Sequence, residues 1–213
     1  MRKIYMLTMS LFVCIGALAG NNGPIGDNLK WTFTDDGTLT ISGKGEMQHA
    51  EGNSVYAWGG ENTQVKRNDI KKVVVQEGVT SLAEYICWDF TNLQEVTLPK
   101  SLTKLGKECF KHCTALKSIT LPDDITLIDE SAFEECKALE TVTFPKSLKE
   151  VSTKAFYNCN LKKVDLSQTQ VETIGMGAFA HNVQCKEVYL PKTLKTFEGE
   201  DEGAFSSCGV KKA

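Results

Sequence analysis

AFEECKALETVTFPKSL (Ala132–Leu148) decides the fold, because the chain says it again. One step earlier it reads CFKHCTALKSITLPDDI (Cys109–Ile125), and one step later AFYNCNLKKVDL (Ala155–Leu166). Strand-like segments begin at Ile70, Leu93, Leu116, Leu139, Leu161 and Cys185, and a last one starts at Val210, in steps of 23, 23, 23, 22, 24 and 25 residues. A fixed period of this size means stacked units, not a globular enzyme.

Each unit has three parts. The first is LQEVTLP (Leu93–Pro99), repeated as LKSITLP, LETVTFP and CKEVYLP. Val96 and Leu98 alternate with Thr97, the pattern of a half-buried strand, and Pro99, Pro122, Pro145 and Pro191 end the strands without removing a ladder donor. The second part places two apolar residues three apart, such as Leu102 and Leu105 or Ile125 and Ile128. The third is A-F-x-x-C, at Ala132-Phe133-Cys136 and Ala155-Phe156-Cys159, read as a short helical or 3-10 turn.

These features define a leucine-rich-repeat solenoid: a β-rich α/β fold of about six coils of 22–25 residues. One coil cannot bury its own apolar side chains, so stacking at about 4.8 Å is obligatory. Burial of side chains at roughly 1.5–3 kcal/mol each offsets the ordering entropy only when both faces are covered. Cys113, Cys136, Cys159 and Cys208 share one column, and Cys87 and Phe90 exchange the Phe and Cys positions of the first coil at nearly conserved volume. Free buried thiols are the expectation. Bridges between neighbours in the column are the alternative.

Residues 20–69 precede the period, and 70–213 follow it. NLKWTFTDDGTLTISGKGEM (Asn28–Met47) alternates at Leu29, Trp31 and Phe33, turns at Asp35-Asp36-Gly37, and alternates again at Leu39 and Ile41. That is a β-hairpin placed to cap the first coil, followed by a connector with Tyr56 and Trp58 as packing anchors. The hairpin, the Tyr/Trp element, IKKVVVQEGVTSL and the A-F-x-x-C coils together resemble the BspA-like family of bacterial leucine-rich-repeat surface proteins. The resemblance covers essentially the whole chain after the leader. It implies a secreted or cell-surface protein of a host-associated bacterium, of Bacteroidetes type, that binds or adheres to host or microbial proteins or glycans. It carries over neither a ligand nor a catalytic residue. GVKKA (Gly209–Ala213) begins a seventh strand, where the family's longer members continue.

Arg2 and Lys3, an apolar run from about Leu7 to Leu18, and Ala17-Leu18-Ala19 form a secretory signal peptide over residues 1–19, cleaved near Ala19. Cys14 offers a lipoprotein reading, but the bulky Val13 stands where a small residue is expected. Cleavage leaves 22 basic against 27 acidic residues, a net charge of −5, which argues against nucleic acid and anionic membrane as partners. No later apolar run is long enough to span a membrane.

No catalytic, cofactor or metal site is expected. Cys109, His112 and Cys113 lack the paired spacing of a zinc site, His181 lies three coils from His112, and His49 sits in a loop. SGKGEM has no third glycine, and FEGEDEGAF lacks the ligand spacing of a calcium loop. The candidate binding surface is the outward strand face. Its columns run Lys72, Glu95, Ser118, Thr141, Lys163, Glu187 and Val74, Thr97, Thr120, Thr143, Asp165, Tyr189. The last two, with Glu187, are the expected centre, although mixed charges and Thr also suit a plain solvated sheet. The second functional reading is a structural or self-associating protein, pairing through the strand edge of the C-terminal coil near Val210.

Overall fold

The computed structural model describes residues 22–25, 28–47, 65–199 and 203–209. The leader, the Tyr56/Trp58 connector, His49 and the seventh strand at Val210 lie outside them. In chain order the strands are β1 (Asn22–Ile25), β2 (Leu29–Phe33), β3 (Thr38–Gly43), β4 (Lys72–Val75), β5 (Ser81–Leu82), β6 (Glu95–Thr97), β7 (Lys104–Leu105) and β8 (Ser118–Thr120). They continue as β9 (Leu127–Ile128), β10 (Thr141–Thr143), β11 (Glu150–Val151), β12 (Lys163–Asp165), β13 (Thr173–Ile174), β14 (Glu187–Tyr189) and β15 (Thr196–Phe197).

Each coil has three sides. The even-numbered strands from β4 to β14 form the first. Its parallel pairing is continuous from β3 through β4 to β6, then resumes between β8 and β10 and between β12 and β14. The gap between β10 and β12 falls where the repeat step shortens to 22 residues, from Leu139 to Leu161. The odd-numbered strands from β5 to β15 form the second side, one unbroken parallel ladder of six.

The third side, carrying A-F-x-x-C, departs from the expected helical turn. Among the described residues the one helical element is a 3-10 turn at Arg67–Asp69, ahead of the first coil. At the corners alternate amides turn away from their own segment and bond to the next coil: Glu108, Phe110 and His112 donate to the carbonyls of Glu130, Ala132 and Glu134 at 2.8–3.0 Å. The residues between them close three-residue turns, as Lys111 does onto Glu108 at 3.2 Å. This alternation needs two left-handed residues per coil, four apart. They are Tyr85 and Asp89, Glu108 and His112, Ser131 and Glu135, Lys154 and Asn158, and Gly177 and His181, with φ between 51° and 62°. A helix cannot contain that pattern.

The core is a set of columns. Phe110, Phe133, Phe156, Phe179 and Phe205 stack at centroid separations of 5.1–5.4 Å with ring planes within 8° of parallel. Phe144 meets Phe156 edge-on at 5.6 Å. The seven cysteines among the described residues are free, and their column does more than fill space. Cys113 donates its thiol to the carbonyl of Cys87 at 3.3 Å, Cys136 to Phe110 at 3.1 Å and Cys159 to Phe133 at 3.1 Å, each reaching the preceding coil. In the fifth coil Asn182 takes the position. Its amide nitrogen donates to the carbonyls of Phe156 and Phe179 at 2.8 and 2.7 Å, and its oxygen accepts from the Leu161 amide at 3.0 Å.

At the N-terminal end β2 and β3 form the expected antiparallel hairpin, and β1 adds a third antiparallel strand. The hairpin does not simply lie over the open core. β3 pairs parallel with β4, placing Thr38 beside Lys72 and Thr40 beside Val74, so it extends the first side of the solenoid.

The left-handed corners give a direct test. Lys154 has φ 55°; Lys154→Val should cost about 1–2 kcal/mol, whereas Lys154→Gly should be neutral or stabilising. Urea unfolding of the two variants beside the parent checks this, and equal destabilisation by both would refute it.

Candidate functional site

The strand alternation that buries Val73, Ile119 and Val164 turns the intervening residues outward. Glu95, Thr97, Thr120, Thr143, Lys163, Asp165, Glu187 and Tyr189 are all exposed, and Lys72 is half-buried. They lie on one side of the solenoid but do not converge into one pocket. They fall into three stretches.

At the N-terminal end Lys72 and Glu95, directly opposite in register, form an ion pair at 2.9 Å. In the middle, Ser118, Thr120, Thr141 and Thr143 make an uncharged hydroxyl surface. Between β6 and β8, where ladder pairing lapses, a shallow groove of about 330 Å³ opens beside Thr97 and Thr120 and is flanked by Lys100 and Asp123. Sequence periodicity placed the threonines but not this opening, since the repeat step there is a regular 23 residues.

The third stretch, on β12 and β14, is the most organised. Lys163 pairs with Asp165 at 2.9 Å, and its ammonium lies 4.6 Å from the centre of the Tyr189 ring. The Tyr189 hydroxyl donates to Glu187 Oε2 at 3.2 Å. Ser167, which the sequence reading did not single out, donates its hydroxyl and its amide to Asp165 Oδ1 at 2.7 and 3.2 Å. These bonds, first the Ser167 hydroxyl and then Lys163, hold the Asp165 carboxyl down at about 2. The Asp165 hydrogen bond in turn raises the Lys163 ammonium above its ordinary range. Both charges therefore persist across any physiological pH, and Tyr189 stands among groups already held in place.

The two aligned histidines serve the backbone. His112 and His181 both occupy left-handed corners, each with φ 61°; their alignment in the sequence was the trace of that geometry. Among the described residues no group of three or more His, Cys, Asp or Glu is placed to hold a metal ion, and no helix is long and apolar enough to cross a membrane.

The model of the BspA type leucine-rich repeat region, in six copies, matches residues 61–166 and 103–213. The chain belongs to the BspA-type leucine-rich-repeat family. Solved structures agree on the fold. A leucine-rich repeat protein from Bacteroides ovatus ATCC 8483 superposes with a TM-score of 0.56 at 21% identity, over 87% of this chain and 57% of its own. The Treponema pallidum leucine-rich repeat protein gives 0.55 at 25% identity, over 79% and 78%. A leucine-rich cell surface protein from Faecalibacterium prausnitzii A2-165 gives 0.49 at 18%, over 84% and 56%. The chain thus spans little more than half the length of the Bacteroides and Faecalibacterium proteins. No curated protein matches it.

The BspA-type face has a titration signature. A depressed carboxyl contributes stability that is fully present above the ordinary Asp value of 3.8 and is lost as pH falls toward about 2. Carboxyl NMR titration should find Asp165 ionised at pH 3, with Lys163→Met and Ser167→Ala each moving its midpoint upward. A midpoint near the ordinary value in the parent would show that the network does not form.

Proposed function

We propose that this BspA-type chain is a binding or adhesion module, not an enzyme, which is secreted or displayed at the cell surface after cleavage near Ala19. In this reading residues 20–69 cap and extend the solenoid of residues 70–213, and the strand face engages a protein or glycan. The observation that carries it is the β12–β14 network. Tyr189, 46% exposed, stands between carboxylates on a sheet that cannot rearrange without breaking its ladders. An aromatic ring on a rigid support loses little freedom on binding, which is why such residues anchor interfaces. The flanking hydroxyl stretch offers donors and acceptors without a charge to desolvate.

The test is binding of the mature chain to arrayed host matrix proteins, mucins and glycans, beside a variant carrying Asp165→Lys, Glu187→Lys and Tyr189→Ala. The variant should keep the parent's circular dichroism and bind roughly thirtyfold more weakly or worse. A variant that binds as well as the parent would move the site off β12–β14.

One observation favours self-association as a second reading. Of the five exposed large hydrophobics among the described residues, Val183, Tyr189, Leu190 and Phe197 cluster around the sixth coil, where β14 and β15 are each paired on one side. A strand edge with apolar neighbours is a template for another copy. Sedimentation velocity at rising concentration should then show a dimer that Phe197→Asp returns to monomer. A monomer at all concentrations would eliminate this reading.

A further inference from the structure

The first side of the solenoid is paired two strands at a time, and its burial follows. Val73, Ile119 and Val164, on β4, β8 and β12, are each covered by a paired strand and are buried. Val96, Val142 and Val188, on β6, β10 and β14, are only half-buried. The next inward position repeats the alternation: Val75, Leu121 and Leu166 are buried, Leu98 and Phe144 half-buried, and Leu190 exposed. One of the two lapses inside the solenoid is already closed, because Phe144 reaches across it and meets Phe156 and Phe179 edge-on at 5.6 and 6.3 Å. At the β6–β8 lapse the equivalent residue is the shorter Leu98, and the groove of about 330 Å³ stays open.

Two other kinds of group go unused at this groove. After β8 and β12 the next amide crosses to the following coil: Leu121 donates to the Thr143 carbonyl at 3.1 Å and Leu166 to Tyr189 at 2.8 Å. Leu98 and Thr120 are the equivalent donor and acceptor, both line the groove, and among the described residues no such bond joins them. The charges behave likewise. Lys100 and Asp123 stand in one column 23 residues apart, the spacing at which Lys72–Glu95 and Lys107–Glu130 close to 2.9 and 2.8 Å. Among the described residues Lys100 and Asp123 form no ion pair, and both are exposed. Glu77 accepts instead from the main-chain amides of Lys100 and Ser101 at 2.9 and 3.3 Å, which fixes that corner without engaging the Lys100 ammonium.

We propose that the groove between the second and third coils is a peptide-binding site, which takes an extended segment of a partner protein carrying an aliphatic side chain between an acidic and a basic one. The aliphatic group covers Val96 and Leu98, as Phe144 covers its own lapse. A carbonyl of the segment accepts from the Leu98 amide and an amide donates to the Thr120 carbonyl, the exchange a ladder strand would make. The acid faces Lys100 and the base faces Asp123. Side chains two apart share one face of an extended chain, so the three fall at alternate positions. Each part of such a segment meets a group that the fold leaves without a protein partner, and polar groups covered without a partner would be costly. A neutral glycan supplies hydroxyls for the amide and the carbonyl, but neither the aliphatic group nor the two charges. The site lies away from Tyr189 on the sixth coil and does not depend on the β12–β14 network.

The test titrates the isotope-labelled chain with the end-blocked peptide Glu-Thr-Leu-Thr-Lys and follows the amides by NMR. Saturable shifts should centre on Leu98, Lys100, Thr120 and Asp123, with a Kd of about 1 mM. Leu98→Phe, which copies the residue that closes the other lapse, should keep the fold and abolish binding. Lys100→Asp with Asp123→Lys changes only exposed positions, so it tests the charges apart from the packing. That double variant should bind the parent peptide roughly tenfold more weakly and prefer the charge-exchanged peptide Lys-Thr-Leu-Thr-Glu by about as much. The variant carrying Asp165→Lys, Glu187→Lys and Tyr189→Ala should bind the peptide as the parent does, which separates this site from the one proposed on β12–β14. No saturable shift, shifts centred elsewhere, indifference to the charge exchange, or saturation of the same amides by neutral maltotriose in place of the peptide would each overturn the proposal.

Discussion

The amide hydrogen bonds that run from coil to coil on all three sides hold equivalent residues directly over one another, and this register dictates the chemistry of every column. Inside, like must pack on like. The five phenylalanines stack nearly parallel at 5.1–5.4 Å, although isolated aromatic pairs prefer offset or edge-on contact. The ladders impose the stack, and Phe144 supplies the edge-on partner that the column itself cannot. The corner thiols answer a second consequence of the same register. A carbonyl turned inward at the Phe position accepts a turn amide, as Phe110 does from Cys113 at 3.2 Å, and a small residue with one weak donor from the next coil adds a second hydrogen bond. Asn182 shows that the donor matters as much as the size, because it meets the same carbonyl with a different group.

Outside, the rule reverses for charge. Like charges one coil apart would repel, so opposite charges alternate at the repeat period. Lys72–Glu95, Lys107–Glu130, Lys111–Glu134 and Glu172–Lys195 are all 23 residues apart and paired at 2.7–2.9 Å. Each exposed pair adds little stability. Their value is in register, since a coil slipped by one position would set Lys72 against Gln94 or Val96 and Glu172 against Leu194 or Thr196, leaving both charges unpaired. The hydroxyl columns between them satisfy the same constraint without charge, as threonine tolerates its own kind above and below.

The period, the strand starts, the outward columns, the hairpin and the interior columns were legible because each rests on hydrophobic alternation, which the sequence carries openly. The corners were not. Their left-handed positions hold Tyr, Asp, Glu, His, Ser, Lys and Asn, with glycine only at Gly177, so the usual signal of positive φ was absent. The apparent helical turn was a fair reading of A-F-x-x-C in isolation. It failed because half of the amides there bond to a neighbouring coil, a long-range demand that no local pattern records. β1 was hidden for a related reason: Asn22-Gly23-Pro24-Ile25 contains three poor strand formers, and its pairing with β2 supplies what its composition lacks. Ser167 was overlooked at the candidate site because its role depends on a turn that brings it back to Asp165, two residues away.

A solenoid so strictly governed inside leaves its outward columns almost free of structural duty, and that division explains where individuality resides in this chain. The first coils follow the repeat closely and present paired charges and hydroxyls. From the fifth coil onward the exceptions accumulate: Asn182 in the cysteine column, Cys185 in the leucine column, Tyr189 where the second to fourth coils carry threonine, and Phe197 exposed at the equivalent of buried Leu105 and Ile128. None of these is dictated by the repeat, and Phe197 lowers the burial that the earlier coils maximise. A substitution such as Phe197 that costs packing without serving the fold is best understood as serving the surface.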